Sequence, residues 1–339
     1  MVCPDAVFFE AAQVAEFGDV VGAAMVSEAG PVAHSLAEVQ VTTVPTRATA
    51  IGTSGLSVAV AHDQGKRKTM EDADLVCLDL AARAASSSAA MELPEGGWHA
   101  LFAVFDGHSG AECAKYCADN IIETLVSAPA FAEDPEAALT QAFATLETSW
   151  LESAISTEAD DGTTAVVAYL RGTTLWVANA GDSEAILTCT TAGISELTTC
   201  HNPAKNPAER ERVAQLGGTV MPNGRLRHPV LPGSMFSIAV SKALGDLTFK
   251  HDQYTKGKPS GLTAVPSVNK IELTDDAHFV LMACDGLWDV MAFDVAAGFV
   301  VRRLNSGLDV QAIVDQLVAR AIDLGSMDNV TALLIVFDP

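Results

Sequence analysis

Two runs of uninterrupted apolar residues stand out from the hydrophobic pattern, and each ends in Asp-Gly. His99-Ala100-Leu101-Phe102-Ala103-Val104-Phe105 leads into Asp106-Gly107, and His278-Phe279-Val280-Leu281-Met282-Ala283-Cys284 into Asp285-Gly286. Such runs predict strands buried on both faces. Before and between them the pattern predicts strands Leu56–His62 and Ala73–Leu80. Helices follow at Gly110–Val126, begun near Ser109, and at Pro135–Ser156, with proline at a favoured first-turn position. A meander of strands comes next: Thr163–Leu170, Thr174–Ala180, Glu184–Thr190 and Ile194–Thr198, turning at Arg171-Gly172 and Ala192-Gly193. Asn206–Leu216 reads as a helix stopped by Gly217-Gly218, and Pro222–Gly233 as an exposed loop. The remainder predicts strands Val268–Leu273 and His278–Cys284, helices Asp294–Leu304 and Asp309–Leu324, and a final strand Val330–Phe337. Consecutive strands separated by helix pairs imply α+β layers, not an alternating parallel sheet.

The regular pattern begins near residue 51. Residues 1–50 are Ala/Val-rich with weak periodicity, a helix near Ala6–Glu16 being the one element suggested; they form an N-terminal arm of unknown role. Residues 51–339 read as a single domain, interrupted at 81–97 by a low-complexity surface loop whose removal should be tolerated. Half the 339 residues are apolar, enough to bury a large core. The formal charge of -23 disfavours nucleic acid and anionic membrane surfaces as partners. Seven scattered cysteines, an odd number, indicate reduced thiols and hence a cytoplasmic or nuclear compartment. The first residues lack a basic n-region, so no signal peptide is expected, and no apolar run is long enough for a membrane span. Without a heptad or long apolar stripe, a monomer is the expected state.

A carboxylate at the end of a buried strand is costly unless a cation or hydrogen bonds meet it. The glycine behind it lets backbone turn sharply or approach closely. The recurrence of the pattern, with Glu71-Asp72 and Asp328-Asn329 elsewhere, suggests one oxygen-lined metal site built from distant segments. Asp106, Asp285 and Asp328 are hard ligands suited to Mg²⁺ or Mn²⁺, and Glu71 with the Gly107 carbonyl can complete a second position bridged by Asp106. Paired metals can activate a water towards phosphorus. The planar fork of Arg67 suits phosphate oxygens, and His108 could donate a proton to a departing alkoxide. These parts make a phosphate-ester hydrolase.

Taken together, the blocks resemble the metal-dependent Ser/Thr protein phosphatases, the type 2C or PPM family. Arg67-Lys68-Thr69-Met70-Glu71-Asp72 is similar to its N-terminal block, and Phe105-Asp106-Gly107-His108-Ser109-Gly110 to its Asp-Gly-His-x-Gly block. Asp161-Gly162-Thr163-Thr164-Ala165, Asn179-Ala180-Gly181-Asp182-Ser183 and Ser241-Lys242-Ala243-Leu244-Gly245-Asp246 follow in the family's order. Asp285-Gly286-Leu287-Trp288-Asp289 and Asp328-Asn329-Val330-Thr331 complete the set. The resemblance implies a four-layer α-β-β-α sandwich of two antiparallel sheets flanked by helix pairs, with a metal cleft at one edge. It implies two Mn²⁺ or Mg²⁺ ions: Asp106, Asp285 and Asp328 on the first, Glu71, Asp106 and the Gly107 carbonyl on the second. Asp182, with Asp285 and Asp289, would serve a weaker third ion or order metal-bound water, with Asp72 and Asp246 one layer out. Arg67 would bind phosphate, His108 act as general acid, and residues 202–233 form a flap beside the cleft. The implied reaction is in-line attack by a metal-bridged hydroxide on phosphoserine or phosphothreonine of phosphoprotein substrates.

Glu184 stands where the family commonly has Arg, Cys200-His201-Asn202-Pro203 where it has Asp-His-Lys-Pro, and Lys242 where it has Arg. None of these removes a proposed metal ligand. Cys77 and Arg83 satisfy a Cys-x5-Arg spacing, but without glycines to bare backbone amides, and with Asp79 repelling an anion, the match is fortuitous. A catalytically inactive member serving as a protein-binding module is the alternative; such proteins typically lose metal acids, and this chain keeps them all.

Overall fold

The computed structural model describes residues 55–85, 93–94, 97–233 and 236–337; the predicted arm over 1–50, its helix near Ala6–Glu16 and the serine run 86–88 lie outside the described residues. The longer strands are β1 Leu56–Asp63, β2 Ala73–Cys77, β3 His99–Phe105, β4 Ala165–Arg171, β5 Thr174–Ala180, β6 Glu184–Cys189, β7 Gly193–Glu196, β8 Ser267–Glu272, β9 Ala277–Ala283 and β10 Val330–Phe337. They pair antiparallel in two five-stranded sheets, one ordered β1-β10-β9-β6-β7 and the other β8-β5-β4-β3-β2. The longer helices are α1 Glu112–Val126, α2 Pro135–Thr157, α3 Pro207–Gln215, α4 Phe293–Asn305 and α5 Val310–Asp323.

The apolar runs are continuous because alternate residues serve two different cores. In β3, Leu101, Ala103 and Phe105 pack with α1 and α2, while Ala100, Phe102 and Val104 face the other sheet. In β9, Phe279, Leu281 and Ala283 pack with α4 and α5, while Val280 and Met282 face back to Phe102 and Val104. β10 divides the same way, Leu334 and Val336 outward and Leu333 and Ile335 inward. Two antiparallel sheets with helices packed on them make an α+β fold, and this packing is compatible with the four-layer order that the family resemblance implied. Each fully buried Leu, Ile, Val or Phe in these layers contributes roughly 1.5–3 kcal/mol.

Several local expectations change. Helix α1 starts at Glu112, not at Ser109: Ser109 has φ 62°, and the Glu112 amide is taken by Asp161 Oδ2 at 3.1 Å. The 81–97 stretch is not simply a loop, since Leu80–Ala85 is helical with Leu80 buried, and Leu93 packs on the α1–α2 core. Pro222–Gly233 is not wholly exposed either. Leu226 and His228 are buried, and Thr219–Val220, Leu226–Arg227 and Ser237–Ile238 make a small sheet. That sheet and α3 share a core of Val213, Leu226, Ile238 and Val240, so the folded unit beside the cleft runs past 233 to Ile238.

Candidate active site

Carboxylates collect at one edge of the two sheets because several segments end there in register. Ala73 of β2 lies opposite Phe105 of β3, which sets Asp72 and Asp106 side by side. Ala283 of β9 lies opposite Glu184 of β6 and Ala332 of β10, which brings Asp285 to the turn holding Asp182 and to the approach of Asp328. Arg67, Asp106, Gly107, His108, Asp182, Asp285 and Asp328 line one cavity of about 110 Å³, with Thr164 and Ile238-Ala239-Val240. The two Asp-Gly glycines serve close approach, not a left-handed turn. A Cβ at Gly107 would run into the carbonyl oxygen of Glu71, and one at Gly286 into that of Asn329.

The other candidates stand around this cavity. The Glu71 side chain is not part of its lining; its carboxylate accepts from Thr69 Oγ1 at 2.7 Å. Asp246 accepts from His108 Nε2 at 2.7 Å. Asp289 lines an adjacent hollow with Arg67 and Asp328 and is bound by Lys205 Nζ. Asp72 accepts from Thr331 Oγ1 at 2.7 Å. Arg67 donates through Nη2 to Asp328 Oδ2.

Asn329, Asn202 and Lys205 also hold this site, though the motifs alone did not assign them a role. Asn329 Nδ2 donates to the carbonyls of Gln64 and Thr69, and its Oδ1 accepts the Glu71 amide at 2.9 Å, so it pins the loop bearing Arg67 and Glu71. Its position directly after Asp328 was the available signal. Asn202, one of the departures from the family pattern, donates to Asp182 Oδ2 at 2.8 Å. Glu184, another departure, is buried and thereby pushed up to about 7, against the opposing charge of Lys205.

The cluster is electrostatically loaded. Burial, then the charges of Asp182 and Asp289, push Asp285 up to about 8. Asp106 is held well above the carboxylate range by burial, with Asp285 and Asp72 adding. Asp72 is raised to about 6 by burial, although its hydrogen bond from Thr331 works the other way. Burial also raises Asp182, against the hydrogen bond from Asn202. For His108, burial opposes the charged ring, but the charge and hydrogen bond of Asp246 outweigh it and lift the imidazole above its usual value.

These residues fit a hard divalent cation. Ligand atoms of Asp72, Asp106 and Cys284 lie within 4.8 Å of one another, and Asp72 Oδ1 is buried without a hydrogen-bond partner. The Cys284 thiol is already engaged, accepting from the Thr331 amide at 3.1 Å and donating to the Asn329 carbonyl at 3.4 Å. Burial pushes it well up, so it stays neutral. The donors left are oxygens, which suit Mg²⁺ or Mn²⁺ over softer metals.

Comparison with known proteins agrees with this chemistry. The family model Protein phosphatase 2C matches residues 56–330. Probable protein phosphatase 2C 67 of Oryza sativa subsp. japonica is 34% identical over 296 residues, covering 82% of this chain and 74% of that protein. Probable protein phosphatase 1N of Mus musculus is 36% identical over 296 residues, covering 85% of this chain and 66% of that one. In fold, the chain is similar to the crystal structure of serine-threonine phosphatase 2C from Toxoplasma gondii, with a TM-score of 0.68 at 24% identity over 87% of this chain and 98% of that one.

Proposed function

The chain belongs to the protein phosphatase 2C family and is a metal-dependent protein serine/threonine phosphatase; from that premise we propose a one-step, in-line hydrolysis at the carboxylate-lined cavity. In this reading Asp106, Asp285 and Asp328 would hold one Mn²⁺ or Mg²⁺, and Glu71, Asp106 and the Gly107 carbonyl would hold a second. Asp182, with Asp285 and Asp289, would serve a weaker third ion or order water, and Asp72 would back Asp106. When bound, the ions lower the pKa of the attacking water and offset charge on the phosphoryl group.

The side chains do the rest. Arg67 spends one N–H on Asp328 and keeps its others for phosphate oxygens. Asp246 engages His108 through Nε2, which leaves Nδ1 as the nitrogen that donates to the substrate. As the water oxygen bonds to phosphorus, the ester P–O bond breaks, and the serine or threonine alkoxide takes the Nδ1 proton. Asp246, hydrogen-bonded to the ring, favours its charged form before transfer. Ile238-Ala239-Val240 at the cavity wall make the neighbouring flap a determinant of which phosphoprotein enters.

We read residues 51–339 as one catalytic domain of a monomer in a reducing compartment, a setting consistent with the free thiols of the described cysteines. No described helix is long and apolar enough to cross a membrane. The observation that carries the reading is the cavity itself: seven candidate residues from five separate segments line it. Phosphate release from a phosphothreonine peptide tests it. Activity should require Mn²⁺ or Mg²⁺ and vanish in EDTA; no release at any metal concentration, from folded protein, would leave a binding module instead.

A further inference from the structure

Behind the loop that carries Asp246 lies a partly buried ion pair outside the carboxylate cluster. Leu244–Gly245 is one edge of a small three-stranded sheet, with Gly162–Thr163 at its centre and Gly107–His108 at its other edge. The chain leaving Leu244 is left-handed over two residues: Gly245 has φ 79°, which glycine adopts freely, but Asp246, not a glycine, has φ 59°. A left-handed conformation at such a residue persists only where its surroundings over-determine it. On one side the Asp246 amide is held by the Asp161 carbonyl at 3.1 Å. On the other stands Glu147 of α2. Its Oε2 accepts the Gly245 amide at 2.8 Å and its Oε1 accepts Lys250 Nζ at 2.7 Å, while Lys250 donates also to the Ala243 carbonyl at 2.7 Å. The pair is thus bonded to backbone on both sides of Leu244, with side chains only 15% and 9% exposed.

The next residue is Asp246, which accepts from His108 Nε2 through Oδ1, while its Oδ2 is buried without a partner. With one oxygen held only by the ring it must aim, the carboxylate takes its direction from its backbone. We propose that Glu147, together with Lys250, is a positioning residue for proton donation by His108. It fixes the 243–246 backbone so that Asp246 presents its carboxylate to the ring. This rests on the reading of His108 as the proton donor.

Kinetics of the Mn²⁺-loaded enzyme on a phosphothreonine peptide and on p-nitrophenyl phosphate test the proposal, because a nitrophenolate leaves without a donated proton. Glu147→Ala should lower kcat on the peptide by about 10-fold or more with little change in KM, and aryl turnover by less than about 3-fold. Glu147→Gln, which can still accept the Gly245 amide, should restore most of the peptide rate. In a His108→Ala background, Glu147→Ala should add no further loss on the peptide, because both act through one ring. Both pair members line a cavity of about 620 Å³ that shares no lining residue with the catalytic one, so truncation opens onto existing space. Should Glu147→Ala still fail to fold, Lys250→Met, which keeps the packed stem, is the variant read. Equal losses on both substrates, or an independent loss in the His108→Ala background, would overturn the proposal. A His108→Ala enzyme equally slow on both substrates would instead remove the proton-donor reading, and this proposal with it.

Discussion

Asp285→Asn should make the metal-free protein more stable while destroying turnover. Burial and the neighbouring acids push the Asp285 carboxyl from 3.8 up to about 8. Between those values the folded protein binds the proton more tightly than the unfolded chain does. Stability is therefore lost progressively as pH rises from about 4 to about 8, and the deficit is complete above that window. Roughly four pH units at about 1.4 kcal/mol each set a ceiling near 6 kcal/mol. Solvent reaches part of the side chain and screens its neighbours, so an expected share of about 2–3 kcal/mol is the better figure. For a domain of this size that is a rise of about 5–10 °C in Tm. Asparagine keeps the shape and drops the charge. Thermal unfolding in EDTA at pH 8 and pH 4.5 measures it: the variant should melt higher at pH 8, and the gap should close at pH 4.5. Adding Mn²⁺ should reverse the order, because a ligand of the native state stabilises in proportion to its occupancy and the variant has lost a donor. A variant that melts below wild type in EDTA at pH 8, or a gap indifferent to pH, would refute the electrostatic reasoning.

His108→Ala should cost about 100-fold on phosphothreonine peptides and under about 3-fold on aryl phosphates, read as kcat on each; equal losses would take the acid role from His108. Gly286→Ala forces a Cβ against the Asn329 carbonyl and should destabilise by about 1–3 kcal/mol, with activity falling because Asp285 and Asp328 sit beside that contact. An unchanged Tm would show that the approach is looser than described.

The strands were legible wherever both faces are buried. β3, β5 and β10 have the bounds their apolar runs predict, since those runs are set by two cores and need no long-range information. Helix ends were less legible where a distant residue decides them: Asp161 fixes the first turn of α1 from 49 positions away. The small sheet through Leu226 and Ser237 was missed because its two-residue strands sit in and around a stretch, Pro222–Gly233, rich in Pro, Gly and Arg, and its burial depends on Val213 and Val240. At the site, the acids declared themselves through position, as charges at the ends of apolar runs. The residues that hold them did not. Asn202 looked like a departure touching only the flap, and Glu147 like one of many acids on a helix; only their partners, Asp182 and Gly245, give them a role.

What those holding residues have in common bears on why the cluster remains ready for a cation. Asp182 is held by the Asn202 amide, Asp72 by the Thr331 hydroxyl, and Asp328 by the Asn329 backbone amide as well as by Arg67. Most of these donors are neutral. They fix direction without cancelling charge, whereas lysines in the same places would satisfy the acids and compete with a metal. Among the described residues, the cations paired with these acids, Arg67 and Lys205, come from the exposed side, with side chains 56% and 42% exposed, where displacement costs little. The buried acids thus stay oriented towards the cavity and open to a metal; without one they hold protons instead, since burial keeps Asp106 and Asp285 well above the usual carboxylate range.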